Sequence, residues 1–231
     1  ALEKRFNLQI TDYEIRKAIK LMNRERRLRR QLAAFMESEL SPLTGRQLLD
    51  FKSIISGIEA DLKEYETIIN FLKSKKAECA ITQKVRVLLT GVPLVHGAER
   101  VIDIIEQNGG LVVCMENCSG IKPILDDVDE TNENPMRALA KKYFNIPCSV
   151  MTRNDRRPET LRKLIGQFRP QCIVELIWQA CLTYDIESYF IKQLAQEFKL
   201  PYLKIETDYS PSDSTRIAMR VEALFETLRK Q

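Results

Sequence analysis

The chain has 231 residues, 44% of them hydrophobic and 29% charged, which is the balance of a soluble globular chain of one domain, or one domain with an appendage. No apolar run approaches the roughly 20 residues that cross a bilayer, and no signal peptide pattern is present. The net charge of +4 gives no argument for nucleic acid as a partner. The expectation is a cytoplasmic protein without membrane or nucleic-acid binding.

Six cysteines (Cys79, Cys114, Cys118, Cys148, Cys172 and Cys181) argue against a disulfide framework in such a chain. They leave buried thiols, metal ligands or a catalytic thiol. His96 is the single histidine, so a Ser-His-Asp hydrolase or a histidine-rich metal site would have to be built around it alone.

Residues 1–78 read as a helical segment that begins at once as an amphipathic stretch, as in a processed chain or a fragment. Thr11-Asp-Tyr-Glu14 has the capping-box pattern, followed at helical spacing by Ile15, Ile19 and Met22, then Leu28, Leu32, Phe35 and Met36. Ser41-Pro42 breaks this helix. A short helix starts at Thr44 with Leu48 and Leu49, and a third from Asp61 with Leu62, Tyr65, Ile68, Ile69 and Leu72. Arg24-Glu-Arg-Arg-Leu-Arg-Arg30 reads as a solvated helix face with Leu28 turned inward, in preference to a phosphate site.

Residues 79–231 change pattern. Val85-Arg-Val-Leu-Leu89 is a strand closed by Thr90-Gly-Val-Pro93, and 98–107 is a helix stopped by Asn108-Gly-Gly110. Leu111-Val-Val-Cys-Met115 is a second strand, ending in Glu116-Asn-Cys-Ser-Gly120. Asn134-Pro135 opens a helix that runs to about Tyr143. Ile146-Pro-Cys-Ser-Val-Met151 is ambiguous between strand and loop. A helix over 158–168 precedes the apolar run Cys172-Ile-Val-Glu-Leu-Ile-Trp178, which has the length of a buried strand. After Gln179-Ala-Cys181 a helix spans 185–198, then a strand 202–206 and a last helix 212–229 carrying Ile217, Val221, Leu224, Phe225 and Leu228 on one face. This alternation specifies an α/β fold: a parallel four- to five-stranded sheet with helices on both faces, preceded by the helical segment.

Cys118 and Cys181 each follow a strand at the carboxyl edge of that sheet, where ligands and cofactors bind in open parallel sheets. Two loops on a shared edge are expected side by side, with Cys148 in a third loop-like segment. Cys114 and Cys172 lie in strands and Cys79 in a connection, where thiols pack as small hydrophobes. Three loop thiolates suit an iron–sulfur cluster, or zinc with His96 as fourth ligand; equally, all six cysteines could merely pack. Glu116 and Glu206 are weak acid/base candidates, and Glu116 reads more simply as a solvated loop residue. Ser212 to Thr215 open the last helix, whose N-terminus could hold an anion, though Ser212 or Asp213 as a plain cap is the simpler reading. Arg216 either pairs with Asp208 or contacts a phosphate.

Leu203-Lys-Ile-Glu-Thr-Asp-Tyr209, with Ser214-Thr-Arg216 and Val221-Glu-Ala-Leu-Phe225, resembles the carboxyl-terminal signature of the 2-hydroxyacyl-CoA dehydratase and benzoyl-CoA reductase superfamily. Trp178-Gln-Ala-Cys181, Glu116-Asn-Cys-Ser-Gly120 and Ile146-Pro-Cys-Ser-Val-Met151 resemble its cysteine segments in the right order. The opening, from Thr11-Asp-Tyr-Glu-Ile15 through Pro42-Leu-Thr-Gly45, is similar to the helical region that links the family's two α/β halves. The resemblance implies a Rossmann- or flavodoxin-like α/β domain holding a [4Fe-4S] or double-cubane cluster through Cys118, Cys148 and Cys181. It also implies a separate ATP-hydrolysing activator that carries its own cluster, a homodimer or a heterodimer with a related subunit, and a CoA thioester as candidate substrate. Three cysteines look most like the double-cubane branch of ATP-dependent reductases. A 2-hydroxyacyl-CoA dehydratase subunit is the alternative, and a non-catalytic interaction domain is the reading from outside enzymology. Family chains usually carry another α/β half before the helical linker, which this sequence lacks, so a complete oxidoreductase or lyase would need that half.

Overall fold

The computed structural model describes residues 1–51, 57–75, 81–95, 97–151 and 153–229; Cys79 and His96 lie outside them. Four apolar runs become strands β1 (Val85–Gly91), β2 (Gly110–Glu116), β3 (Cys172–Trp178) and β4 (Tyr202–Thr207). They pair in parallel in the order β2-β1-β3-β4. All seven residues of β2 are buried, and six of the seven in β3, as continuous apolar runs in a parallel sheet require.

The connecting helices are α5 (Arg100–Gln107), α6 (Pro135–Phe144), α7 (Arg156–Phe168), α8 (Leu182–Glu197) and α9 (Ser214–Arg229). On one face of the sheet, Val87, Leu89, Val112, Val174 and Ile205 pack with Val101, Ile102 and Ile105 of α5 and Ile217, Val221 and Phe225 of α9. On the other, Leu88, Leu111, Val113 and Ile173 pack with Leu161, Leu164 and Phe168 of α7 and Ile191 and Leu194 of α8. Each such fully buried aliphatic or aromatic side chain contributes about 1.5–3 kcal/mol over an exposed one.

The N-terminal part supplies α1 (Leu2–Phe6), α2 (Asp12–Ala34), α3 (Gly45–Asp50) and α4 (Glu59–Lys75). Both expected caps form: Thr11 and Glu14 make a reciprocal capping box on α2, and Thr44 and Gln47 do so on α3. Leu28 and Leu32 of α2 and Leu62, Tyr65, Ile69 and Leu72 of α4 join the same core as α7 and α8, so this segment covers one sheet face. The arginine run is not simply solvated. Arg24 pairs with Glu59 and Glu66, Arg27 with Asp127 and Glu130, and Arg30 with Asp127, which fastens α2 to α4 and to the segment after β2.

Two expectations shift. Residues 146–151 form a turn, closed by the Met151 N–H donating to the Cys148 carbonyl at 3.0 Å, so no fifth strand arises there. Helix α8 begins at Leu182, one turn earlier than its apolar periodicity indicates, because Leu182 and Ile186 face outward.

Candidate functional site

The carboxyl edge of the sheet is built on close backbone approaches. Gly91 ends β1 with φ 106°, a left-handed conformation that glycine adopts without steric cost, and a Cβ there would lie 2.0 Å from the Leu176 carbonyl of β3. In the turn after β2, a Cβ on Gly120 would lie 2.1 Å from the Met115 carbonyl. Asn117, fully buried, accepts from the Ser119 and Gly120 N–H groups at 3.1 and 2.8 Å and donates to the Val92 carbonyl at 3.2 Å. These contacts fix the turn that presents Cys118 at the surface, two residues beyond β2.

Cys181 is itself the residue that precedes the first turn of α8 and is half-buried. Ala180 before it holds a positive φ of 65°, uncommon for a residue with a side chain, so the three-residue turn 179–181 is tightly determined. The Cys181 Sγ lies 3.8 Å from Thr183 Oγ1, and Ser149 Oγ reaches the same hydroxyl at 3.5 Å. The half-buried Cys148 and Cys181 segments therefore meet at Thr183. The loops of Cys118 and Cys181 share the sheet edge, but β1 lies between β2 and β3, so they flank it and are not adjacent as expected. The Cys118 loop is tied to α8 from below, because Glu116 at its start and Glu187 of α8 both pair with Arg157. Burial pushes the Tyr184 phenol up, Lys122 and Arg157 oppose the rise, and Cys118 adds to it. Cys114 and Cys172 are buried packing thiols; burial pushes both up, Cys172 to about 12.

Beneath these loops lies a layer that sequence reading missed. In the sheet register Thr90 stands opposite both Glu116 and Glu175, and Glu175 stands opposite Lys204, forming one polar row across four strands. Glu116 is fully buried, which overturns its reading as a solvated loop residue. It accepts from Thr90 Oγ1 at 2.5 Å, pairs with Lys122 Nζ at 2.9 Å, and takes Arg157 Nε at 3.4 Å. Arg157 also meets Glu175 at 3.6 Å and Glu187 at 3.4 Å, and donates to Thr90 Oγ1 at 3.1 Å. Its guanidinium lies 5.0 Å from the Tyr184 ring centre and Lys122 Nζ lies 5.7 Å from it. Burial opposes the charge on Lys122 and on Arg157, but Glu116 leads the groups that more than offset it, so both remain cations. Burial pushes Glu175 up to about 7, although the Tyr202 hydroxyl donates to it at 2.6 Å and Arg157 stands near. The available signal was Glu175 itself: a carboxyl inside an otherwise apolar strand requires a buried partner.

The other polar candidates sit at the β4 end. Glu206 is exposed and lines an open polar cleft with Lys204, Asp208 and Arg216. Asp213 does not simply cap α9. It pairs with Arg100, accepts from Thr207 Oγ1 at 2.7 Å, and takes Arg216 at 3.3 Å. Burial works against the Asp213 carboxylate, and these three partners hold it below the usual range. Arg216 thus pairs with Asp213 and not with Asp208.

Among the described residues, no three His, Cys, Asp or Glu side chains lie close enough together to share one metal ion. The thiols near the first turn of α8, beside Thr183 and Asp185, are soft donors of the kind that suit iron and sulfide. In a cluster the thiolates attach to different irons, so they need not converge on a single point.

The whole sequence pattern now has its counterpart among known proteins. Residues 1–228 match the family described as "2-hydroxyglutaryl-CoA dehydratase, D-component". The chain belongs to that family. It is also 37% identical over 239 aligned positions to a protein of Escherichia coli (strain K12) named "Putative dehydratase subunit YjiM". That alignment covers 98% of this chain and 60% of the relative's length. Among the described residues, no helix is long and apolar enough to cross a membrane.

Proposed function

We propose that this chain is the cluster-binding part of a 2-hydroxyacyl-CoA dehydratase-type subunit, with Cys118, Cys148 and Cys181 as thiolate ligands of an iron–sulfur cluster. The observation that supports this most is the meeting of the Cys148 and Cys181 segments at Thr183, with the Cys118 segment tied to them through the buried Glu116–Arg157–Glu187 pairs. When bound, such a cluster supplies single electrons at low potential. The chain's own contribution is to present the thiols from turns fixed by Asn117, Gly120 and Ala180, and to exclude water from the sheet edge below them.

The partners proposed are an ATP-hydrolysing activator that delivers electrons, and a second subunit of the same kind. Leu182, Ile186, Tyr189 and Phe190 form an exposed apolar stripe on α8 beside Cys181, a surface that favours a protein partner. A reductase of the double-cubane type is the second reading, favoured by the presence of three thiols outside the strands, Cys118, Cys148 and Cys181. Turnover of the anaerobic full-length protein with activator and ATP separates the two. Water elimination from a 2-hydroxyacyl-CoA thioester, abolished by Cys181→Ser, is the expected result. ATP-dependent reduction of small unsaturated molecules with no action on the thioester would favour the reductase, and neither activity would remove both readings.

A further inference from the structure

All three cysteine segments are joined through one side chain. Arg157 lies in the first turn of α7, after the segment that carries Cys148, and it is fully buried. Its Nε meets Glu116, which ends β2 two residues before Cys118. Its Nη2 meets Glu175 of β3, six residues before Cys181, and its Nη1 meets Glu187 of α8, six residues after it. Glu187 in turn accepts from Asn154 Nδ2 at 2.9 Å, a second strut between α8 and the Cys148 segment. The central carbon of the guanidinium lies 5.0 Å from the Tyr184 ring centre. Lys122 closes the Cys118 turn from its far end by pairing with Glu116, so the turn is clamped on both sides.

We infer that Arg157 is the positioning residue of the cysteine site: its forked guanidinium holds the segments of Cys118, Cys148 and Cys181 in one fixed arrangement through Glu116, Glu175 and Glu187. The inference rests on the proposed cluster site but concerns the protein's own geometry. A guanidinium has five donors in a rigid fork, so it can serve three carboxylates at fixed angles; an ammonium is a point charge and cannot. Charge alone at position 157 is therefore not sufficient.

The test uses the full-length protein without metal, a thiol-bridging reagent (dibromobimane) and mass-spectrometric mapping of the linked peptides. Wild type is expected to give the Cys148–Cys181 bridge. Arg157→Lys and Arg157→Met should slow that bridge on the order of tenfold or more, since small misplacements of reacting groups carry penalties of this size. Glu187→Ala, which removes one strut and keeps the rest of the network, should give an intermediate loss even if the Arg157 variants fold poorly. Phe225→Leu, a core change on the opposite sheet face, should lower Tm yet leave the bridge at the wild-type rate. Bridging that follows Tm across all variants, or that is unchanged in Arg157→Lys, would overturn the inference. The result is separable from the cluster reading. Iron uptake by wild type tests that reading alone, and in reconstituted protein Arg157→Lys should also alter the electron paramagnetic resonance signal.

Discussion

Glu175 shows how one carboxyl sets the pH response of the fold. Its pKa of about 7 lies above that of an unfolded glutamate, so between roughly pH 4.5 and 7 the native state holds a proton that the unfolded chain has released. Stability from this group is fully present below the unfolded value and is lost as pH rises through 7. Over that window the loss is on the order of 3 kcal/mol. Thermal melts between pH 5 and 8 should show a falling Tm for wild type and a flatter profile for Glu175→Gln, which keeps an acceptor for the Tyr202 hydroxyl. A profile identical in the two proteins would mean that Arg157 keeps Glu175 ionised throughout. At this scale the thiols were legible in sequence, because a cysteine after a strand has a definable place on the sheet edge. The partners of Glu116 and Arg157 were not, since their contact spans 41 residues of chain and the one between Arg157 and Thr90 spans 67. No local pattern encodes such pairings.

At the scale of elements, α2 is clipped to the segment that follows the Cys118 turn. Asn23, fully buried, donates to the Val128 carbonyl at 2.8 Å and accepts from the Val128 N–H at 2.9 Å, imitating a strand partner. Asn23→Ala leaves both backbone groups buried without these bonds and should cost about 2–4 kcal/mol. Chemical denaturation should show this as a lower midpoint with an unchanged slope, and a cost under about 0.5 kcal/mol would mean that water replaces the side chain. The helices and strands themselves were readable from caps and periodicity, as Thr11–Glu14 and Asn134-Pro135 show. The exceptions have physical causes. The first turn of α8 points Leu182 and Ile186 to the outside, which breaks the phase of its buried stripe, and residues 146–151 have extended-looking composition but close as a turn.

For the whole molecule, alternation of strands and helices was enough to predict a parallel α/β sheet covered on both faces. Strand order was not in that pattern. The insertion of β1 between β2 and β3 separates the Cys118 and Cys181 loops, and Arg157 links their flanks through Glu116 and Glu187. On the proposed reading, this edge holds an iron–sulfur cluster through three thiolates. That reading is tested most directly by iron and acid-labile sulfide content per chain in anaerobically reconstituted full-length protein, with Cys118→Ser, Cys148→Ser and Cys181→Ser set against Cys114→Ser and Cys172→Ser. About four irons per cluster-bearing site are expected, lost or sharply reduced in the first three variants and kept in the last two. Folded wild-type protein without iron or sulfide, or equal content in all five variants, would contradict that reading.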